Sequence, residues 1–396
     1  MAMLMPGFRR TVVLVLAWTL MPASIMASQL DDAMEAGETG VSFLEGALTG
    51  IYQEALEAGE NTGNYEIDLI GSILLKSRGE NRIGNTDLVF WAFSVNNLGS
   101  LQSTGQMQQK AGLLWATNDI NVDSSVTQFG VLGIRQFFYG NRLELGFGKM
   151  FPGMIHTESS YTANNSETFM SKIVAASAVG SYFEAIGLGA NLRYWGKEWF
   201  VQGGFSDAKA ESEIDFDSLF DGVWAWTAEA GWMPRSMGGS TSVSFLAFHT
   251  DRTSTLTSQN GWAFAATHDF GQDDRYGVFG RYTRADGAEG ISEADRSGAL
   301  PLASAAFVGV ALNRPLGRPG DQLGLVALYG KPTAYQRQQG FDDQYGFETF
   351  WKFSIGDFFR ITPSLQVLRN MNDDAEFVVG IRAKVSNDFA KYFGKR

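Results

Sequence analysis

Apolar and polar side chains alternate along most of this chain with a period of two residues. In the closing stretch, Phe377 and Val379 stand on one parity, whereas Arg382 and Lys384 stand on the other. Successive side chains of a β-strand point to opposite faces, so this period predicts strands with one apolar face and one polar face. Patterns with helical spacing are nearly absent.

The pattern predicts about sixteen strands, an even number of the kind that bacterial membrane barrels use. The links between them are of two lengths. Tight links occur at 139–141, 196–198, 271–274 and 356–358. Long links cover about 98–124, 152–182, 207–222, 285–301 and 331–345. Because short turns on one side and long loops on the other are typical of outer-membrane barrels, we predict an all-β, transmembrane antiparallel β-barrel.

The polar faces of the predicted strands carry charges of both signs, which indicates what lies inside the barrel. Such charges are tolerated only where water reaches them, and a barrel of about sixteen strands encloses an aqueous channel. The predicted lumen residues are Arg193, Glu229, Arg281, Glu348, Lys352, Arg360, Gln366, Arg382 and Lys384. The alternative is a soluble protein of two sheets, in which the polar face is the exterior.

The N-terminus predicts export. Arg9 and Arg10 precede a short apolar run, and small residues follow up to a plausible cleavage site near Ala27. This is the pattern of a cleaved signal peptide, and no later segment has about 18 consecutive apolar residues. The predicted organisation is a signal peptide over 1–27, an N-terminal segment in the periplasm or the pore over 28–44, and a water-filled barrel over 45–396.

Composition narrows the possible partners. The formal net charge is -12 and becomes -14 when the two arginines of the signal peptide are removed, so nucleic acid is not an expected partner. The chain has no cysteine and therefore no disulfide. Aromatic residues make up 13% of the chain, yet the mean hydropathy is -0.10. This combination is expected where apolar and polar residues share the two faces of one sheet.

The C-terminal third resembles the carbohydrate-selective porin family (OprB type) of Gram-negative outer membranes. The similar residues are Glu348 followed by aromatics, the Ile-Thr-Pro-Ser-Leu-Gln run at 361–366, and Gly-Ile-Arg at 380–382. The stretch "LELGFGKMF" at 143–151 is also similar to a Gly-Lys strand of that family. The resemblance implies a sixteen-stranded, often trimeric porin that passes sugars such as glucose.

The long link 152–182 is the candidate constriction. In sixteen-stranded porins, the long loop after the fifth strand commonly folds into the lumen. Sugar hydroxyls need paired donors and acceptors, and pyranose faces stack on aromatic rings. The predicted constriction residues are His156, Glu158, Tyr161, Asn165 and Glu167. The alternative is a solvated surface loop.

Three functions remain open from the sequence. The preferred one is passive or weakly facilitated diffusion of sugars across the outer membrane. The first alternative is a general or anion-biased porin, in which Arg281, Arg360, Arg382 and Lys384 would form a cationic ladder, unless they pair with Glu229, Glu348 or Glu376.

The second alternative is a barrel hydrolase or a surface-binding protein. His156 and His249 are its candidate residues, but neither stands in a known nucleophile or zinc motif. We therefore predict no enzyme activity, no cofactor and no metal. The predicted partners are sugars as permeants, outer-membrane lipid, lipopolysaccharide and, through the family resemblance, further copies of the chain in a homotrimer.

Overall fold

Sixteen strands of the described residues form one closed antiparallel β-barrel. This computed structural model describes residues 40–59, 63–77, 84–97, 104–118, 126–150, 161–162, 167–176, 187–209, 217–234, 240–253, 258–286 and 302–388. The strands are β1 (Gly40–Ala55), β2 (Gly63–Ser77), β3 (Thr86–Asn97), β4 (Val126–Phe138), β5 (Leu143–Met150), β6 (Gly187–Trp195), β7 (Trp199–Asp207), β8 (Trp224–Trp232), β9 (Thr241–Thr250), β10 (Gln259–Phe270), β11 (Tyr276–Asp286), β12 (Leu302–Asn313), β13 (Gln322–Pro332), β14 (Gln344–Ile355), β15 (Phe359–Arg369) and β16 (Ala375–Asp388). Each strand pairs with its neighbours in sequence, and β1 pairs with β16. The predicted fold is therefore confirmed.

The helices of the described residues are short and lie in the links. They are α1 (Thr104–Lys110), α2 (Lys172–Ala175) and α3 (Ala334–Gln338), with 3-10 turns at Asp217–Phe220 and Gln272–Asp274. The first turn of α3 is closed by a capping box, in which Thr333 and Gln336 each accept a backbone N–H of the other. None of the described helices is long and apolar enough to cross a bilayer.

The longest links all lie at one end of the barrel, as predicted, although the β9–β10 and β15–β16 links at that end have only eight and five residues. At the short-turn end, four or fewer residues connect β4 to β5, β6 to β7 and β14 to β15. The β4–β5 turn places Tyr139, Gly140 and Asn141 in the left-handed region, with φ between 52° and 65°. Glycine and asparagine tolerate this region best. The long links, including those after β3 and β5, meet at the opposite, long-link end.

The outer face of the barrel is apolar. Large side chains such as Phe147 and Val308 are about 60% exposed there, at 63% and 60%. Exposed aromatic side chains stand at strand ends, as in an interfacial girdle: Trp199, Trp232, Tyr276 and Tyr345. In β16, the apolar parity that includes Phe377 is exposed, while Arg382 and Lys384 are buried on the inside. The apolar face therefore points outward, as a barrel embedded in lipid requires.

The inner face differs between the two halves of the barrel. On β11 to β16, inward positions carry buried apolar side chains, among them Phe279, Phe307, Val326, Phe350 and Leu368. The polar residues of the strands predict that water lines the whole inner face, and this expectation does not hold for β11 to β16. Apolar side chains that face the inside of a barrel need a cover, and two of the long links provide it.

Candidate permeation pathway

Two stretches of the long links lie against the inward wall of the barrel. Inner segment 1 is residues 111–118, between β3 and β4. Inner segment 2 is residues 161–162 and 167–176, between β5 and β6. The two segments touch each other, since the Lys172 amide donates to the Ala116 carbonyl at 3.1 Å.

Inner segment 1 is held by glutamines that project inward from three strands. The side-chain amides of Gln53 on β1 and Gln366 on β15 both donate to the Thr117 carbonyl, at 3.0 and 2.7 Å. The Leu114 amide donates to the side-chain oxygen of Gln344 on β14 at 2.6 Å. Buried backbone groups need hydrogen-bond partners, and these glutamines supply them to the Thr117 carbonyl and the Leu114 amide.

Trp115 anchors inner segment 1 in the cluster of buried apolar side chains on β11 to β16. It is fully buried, and a Cβ atom on Gly330 of β13 would lie 2.8 Å from its ring. The absence of a side chain at Gly330 therefore makes room for the indole.

Replacing Trp115 with alanine is expected to destabilise the folded barrel by about 3–5 kcal/mol, because it removes a large buried side chain and leaves a cavity. The midpoint of heat-induced unfolding in detergent, followed by the mobility shift on gels, measures this loss. Trp232→Ala is the matched control, because Trp232 is 50% exposed on the outer face. Equal losses in the two variants would contradict a core role for Trp115.

The backbone of inner segment 2 is bound by a carboxylate and a guanidinium. Glu348 on β14 accepts the amides of Met170 and Ser171 at 2.6 and 3.0 Å. Arg382 on β16 donates to the Thr168 carbonyl at 2.7 Å. Glu348 and Arg382 are each exposed by 1% or less. These hydrogen bonds involve charged partners away from water, so they are among the stronger contacts of the segment.

Arg281 on β11 binds the far end of inner segment 2. One nitrogen, Nη2, donates to the carbonyls of Ile173 and Ala176 at 2.6 and 2.9 Å. These carbonyls belong to α2 and its C-terminal cap, where cations are favoured. The guanidinium also lies over the ring of Phe307, 4.9 Å from its centroid. Arg281 is therefore an anchor of the segment.

Glu167 is the centre of a cluster of charges near the short-turn end. Its carboxylate oxygens lie 3.0 Å from Lys384 Nζ, 3.4 Å from Lys352 Nζ and 3.6 Å from Arg360 Nε. Burial alone would raise the pKa of the Glu167 carboxyl, but the charges of Lys384, Lys352 and Arg360 outweigh burial and hold that pKa well below its usual range. One carboxylate thus faces three cations.

Tyr161 fixes the beginning of inner segment 2. Its hydroxyl donates to Asp269 at 2.5 Å and accepts from Asn313 at 3.0 Å. Its ring stacks on Phe279, with 5.0 Å between the centroids. These partners project from β10, β12 and β11, so contacts to the segment extend around the wall from β10 to β16.

The opposite wall, from β3 to β8, carries a continuous chain of polar side chains, which we call the polar belt. Its members are Asp87, Arg135, Glu144, Arg193, Gln202 and Glu229. Arg135 donates to Asp87 at 2.9 Å, and Arg193 donates to Gln202 at 2.5 Å. Side chains of Arg135 and Arg193 stay 18% and 15% exposed, so the belt borders open space inside the barrel.

The structure separates the predicted lumen residues into two groups. Arg193 and Glu229 belong to the polar belt, and Lys352 and Arg360 remain partly exposed beside Glu167. The others contact the inner segments or Glu167 and are almost inaccessible: Arg281, Glu348, Gln366, Arg382 and Lys384.

The predicted constriction residues fall partly within the described chain. Tyr161 and Glu167 lie in inner segment 2, against the inward wall. His156, Glu158 and Asn165 lie outside the described residues, and their placement stays a prediction.

Five residues that line the lumen or hold inner segment 1 were not predicted from the sequence. They are Gln53 and Gln344, which bind inner segment 1, and Asp87, Arg135 and Glu144 of the polar belt. The belt had a usable signal, because all three are polar residues of inward parity in apolar strands. The role of inner segment 1 is signalled by the apolar run "GLLWA" at 112–116, which is unusual for an exposed loop.

The comparisons with known proteins agree with this geometry. The model of the family described as "Carbohydrate-selective porin, OprB family" matches residues 235–386. The resemblance seen in the sequence is therefore confirmed. This matched region runs from the β8–β9 link almost to the end of β16 and includes Arg281, Glu348 and Arg382. No curated protein sequence matches the chain.

Solved structures show the same fold. The high-pH structure of Pseudomonas putida OprB has 14% sequence identity, covers 91% of this chain and 96% of its own, and has a TM-score of 0.70. The low-pH structure of the same protein has 14% identity, coverages of 92% and 96%, and a TM-score of 0.54. A mutant of the Rh. blastica porin has 11% identity, coverages of 87% and 99%, and a TM-score of 0.52. At these identities the likeness concerns the fold.

Proposed function

We propose that this protein is an outer-membrane porin through which sugars diffuse passively, with weak binding along the way. One observation carries the proposal: a closed sixteen-stranded barrel of porin fold whose residues 235–386 match the carbohydrate-selective porin model. An apolar outer face and a polar belt inside are the two surfaces that such a channel needs.

The proposed solute path runs beside the polar belt, because the inner segments cover the wall on the other side. Inner segment 2 narrows the lumen, with Tyr161 and Glu167 on the covered side and His156, Glu158 and Asn165 at the constriction. Arg193, Glu229, Lys352 and Arg360 border the path. Paired donors and acceptors suit sugar hydroxyls, and low affinity lets each solute leave.

The proposed porin function and the signal-peptide pattern together define the cellular location. Residues 1–27 direct export and are removed, residues 28–39 lie in the periplasm or the pore, and the barrel, which begins at Gly40 and not at the expected residue 45, is embedded in the outer membrane of a Gram-negative cell. Lipid and lipopolysaccharide surround the apolar face, and three barrels associate as a homotrimer. The short-turn end faces the periplasm, as in other bacterial barrels.

Uptake of sugars by proteoliposomes tests the proposal. We expect glucose to enter faster than triglycine, a non-sugar of similar size, and maltose to enter more slowly than glucose, because the path both selects by size and pairs with hydroxyls. Swelling rates measured by light scattering report all three. Equal rates for glucose and triglycine would contradict sugar selectivity, and no swelling above empty liposomes would contradict a channel.

An anion-biased porin is a second candidate, favoured by the three cations around Glu167. The reversal potential across a planar bilayer in a KCl gradient distinguishes it, since an anion-biased channel prefers chloride.

A hydrolase has less support. The ring nitrogens of His249 contact Asn260 and Asp251, at 2.9 and 3.1 Å. His249 lies on the outward parity of β9, beside the exposed Phe245, and these contacts place no serine on the ring. We therefore propose a channel and not an enzyme.

A further inference from the structure

A recess opens in the inward wall where β9, β10, β11 and β12 meet. Its floor follows one row of the sheet, in which Ser244 stands opposite Ala265, and Ala265 stands opposite Arg281. In the next row toward the short-turn end, Ser242 stands opposite Thr267. The recess is small and is partly open to the lumen. The small side chain of Ala265, between larger neighbours, leaves this space.

Three hydroxyl groups of the recess are free to bind. Ser242, Ser244 and Thr267 line it, and within the described part of the chain their hydroxyls have no hydrogen-bond partner. Each can donate one hydrogen bond and accept two. Directly opposed residues of an antiparallel pair have Cβ atoms roughly 4.5–5.5 Å apart, so the Ser242 and Thr267 hydroxyls reach one ligand together.

The remaining walls of the recess are aromatic and fixed. Phe279 and Phe307 border it, and Thr162 of inner segment 2 closes one side. Tyr161 stacks on Phe279, and Arg281 is held between two backbone carbonyls and the Phe307 ring. Inner segment 2 and the strand wall therefore enclose the space between them, and the shape of the recess is set before any solute arrives.

We propose that this recess is a binding subsite for a single neutral sugar ring, an inference that rests on the proposed porin function. Its free groups are uncharged hydroxyls, which match the hydroxyls of a sugar. Because the recess is small and partly open, it takes the hydroxyls along one edge of a ring while the rest of the sugar stays in the lumen.

The charge of the recess argues against an anionic ligand. Its cation, Arg281, already binds the carbonyls of Ile173 and Ala176. Lys352 and Arg360, which are more exposed than Arg281, lie by Glu167 on β14 and β15 and do not line the recess. A carboxylate or phosphate ligand would lose its water here without gaining a free positive partner.

The test is a triple variant, Ser242→Ala, Ser244→Ala and Thr267→Val, which removes the hydroxyls and keeps the shape of the wall. Saturation of glucose flux and glucose block of the single-channel current are measured in planar bilayers and proteoliposomes. A net hydrogen bond changes affinity by a factor of about 2–10, so the half-saturating glucose concentration is expected to rise at least about tenfold. Conductance in KCl without sugar is expected to stay unchanged.

A matched triple variant serves as the control: Ser72→Ala, Ser206→Ala and Thr227→Val. These residues are buried inward hydroxyls of β2, β7 and β8, outside the recess. Their loss is expected to leave the half-saturating glucose concentration within about twofold. The single change Ala265→Leu, which fills the recess, is expected to abolish glucose saturation and gives a second, independent reading if the recess triple variant folds poorly.

The outcomes separate the subsite from the porin function. If wild-type flux of glucose saturates and neither the recess triple variant nor Ala265→Leu changes it, the subsite is refuted while the porin stands. Equal shifts in the recess and control triples would also refute it. If wild-type protein shows no channel, the porin function itself fails. A shift confined to the recess variants supports the subsite.

Discussion

Replacing Glu348 with alanine is expected to release inner segment 2 and widen the channel. The variant removes both acceptors of the Met170 and Ser171 amides and one of the two carboxylates, Glu348 and Glu167, whose charges act on Arg382. Hydrogen bonds to charged groups contribute about 1.5–3 kcal/mol each, so attachment of the segment weakens by about 3–6 kcal/mol. Single-channel conductance is expected to rise, and swelling with maltotriose is expected to become detectable.

The matched control for this variant is Glu144→Ala. Glu144 is a buried carboxylate of the polar belt on β5, and it lies against Arg135 and Arg193 of the same belt. It tests whether the loss of any inward carboxylate is enough to change the current. If conductance rises equally in both variants, or stays constant in Glu348→Ala, the anchoring role of Glu348 is wrong.

Replacing Glu167 with glutamine is expected to shift the channel toward anions and to destabilise it. Lys384, Lys352 and Arg360 then surround a neutral amide, and the local net charge becomes more positive by one. Removing one partner from a buried ion pair costs about 3–5 kcal/mol. The reversal potential in a KCl gradient and the heat-unfolding midpoint measure the two effects.

The control for selectivity is Glu229→Gln, which also removes one negative charge. Glu229 accepts a hydrogen bond from the neutral side-chain amide of Gln202 in the polar belt, so the heat-unfolding midpoint is expected to fall less. Adding Lys352→Gln to Glu167→Gln is expected to restore part of the stability, because one unpaired cation is removed. A double variant less stable than the sum of the single changes would contradict the pairing.

The pH dependence of the Glu167 cluster follows from the lowered pKa of its carboxyl. An unfolded glutamate has a pKa of about 4.3, so the stabilisation by this group is present above that pH. It is lost only as the pH falls through the lower folded-state pKa. The stability difference between wild type and Glu167→Gln is therefore expected to stay constant from pH 7 to pH 5, as measured by heat unfolding.

The strands were predictable because each one carries its own signal. Alternation of apolar and polar residues marks a strand locally, and glycine-rich turns such as 139–142 mark its end. The predicted tight links at 196–198 and 356–358 coincide with the turns between β6 and β7 and between β14 and β15. β1 begins at Gly40, and the expected start near residue 45 lies inside it.

The link 152–182, which contains inner segment 2, was predicted to fold into the lumen, but the cover formed by inner segment 1 was not predicted, since its signal is shared by distant parts of the chain. Val326 and Leu328 face inward from a strand whose other face is also apolar, which indicates a covered wall. The cover is the apolar run around Trp115. The Leu114–Gln344 hydrogen bond that joins cover and wall spans 230 residues. The local alternation of apolar and polar residues cannot reveal which distant segment covers the wall. The apolar residues on both faces of β13 indicate only that its inner face is covered.

Closure of the barrel has a consequence for the order of assembly. β1 and β16 share eleven residue pairs, and the nearby contact between Glu57 and Glu376 joins positions 319 residues apart. Until the last strand is made, β1 and β15 remain open edges, which lipid does not tolerate and which attract other chains. The chain must therefore be shielded throughout synthesis and export, and it can enter the membrane as a stable barrel only when its final segment is present.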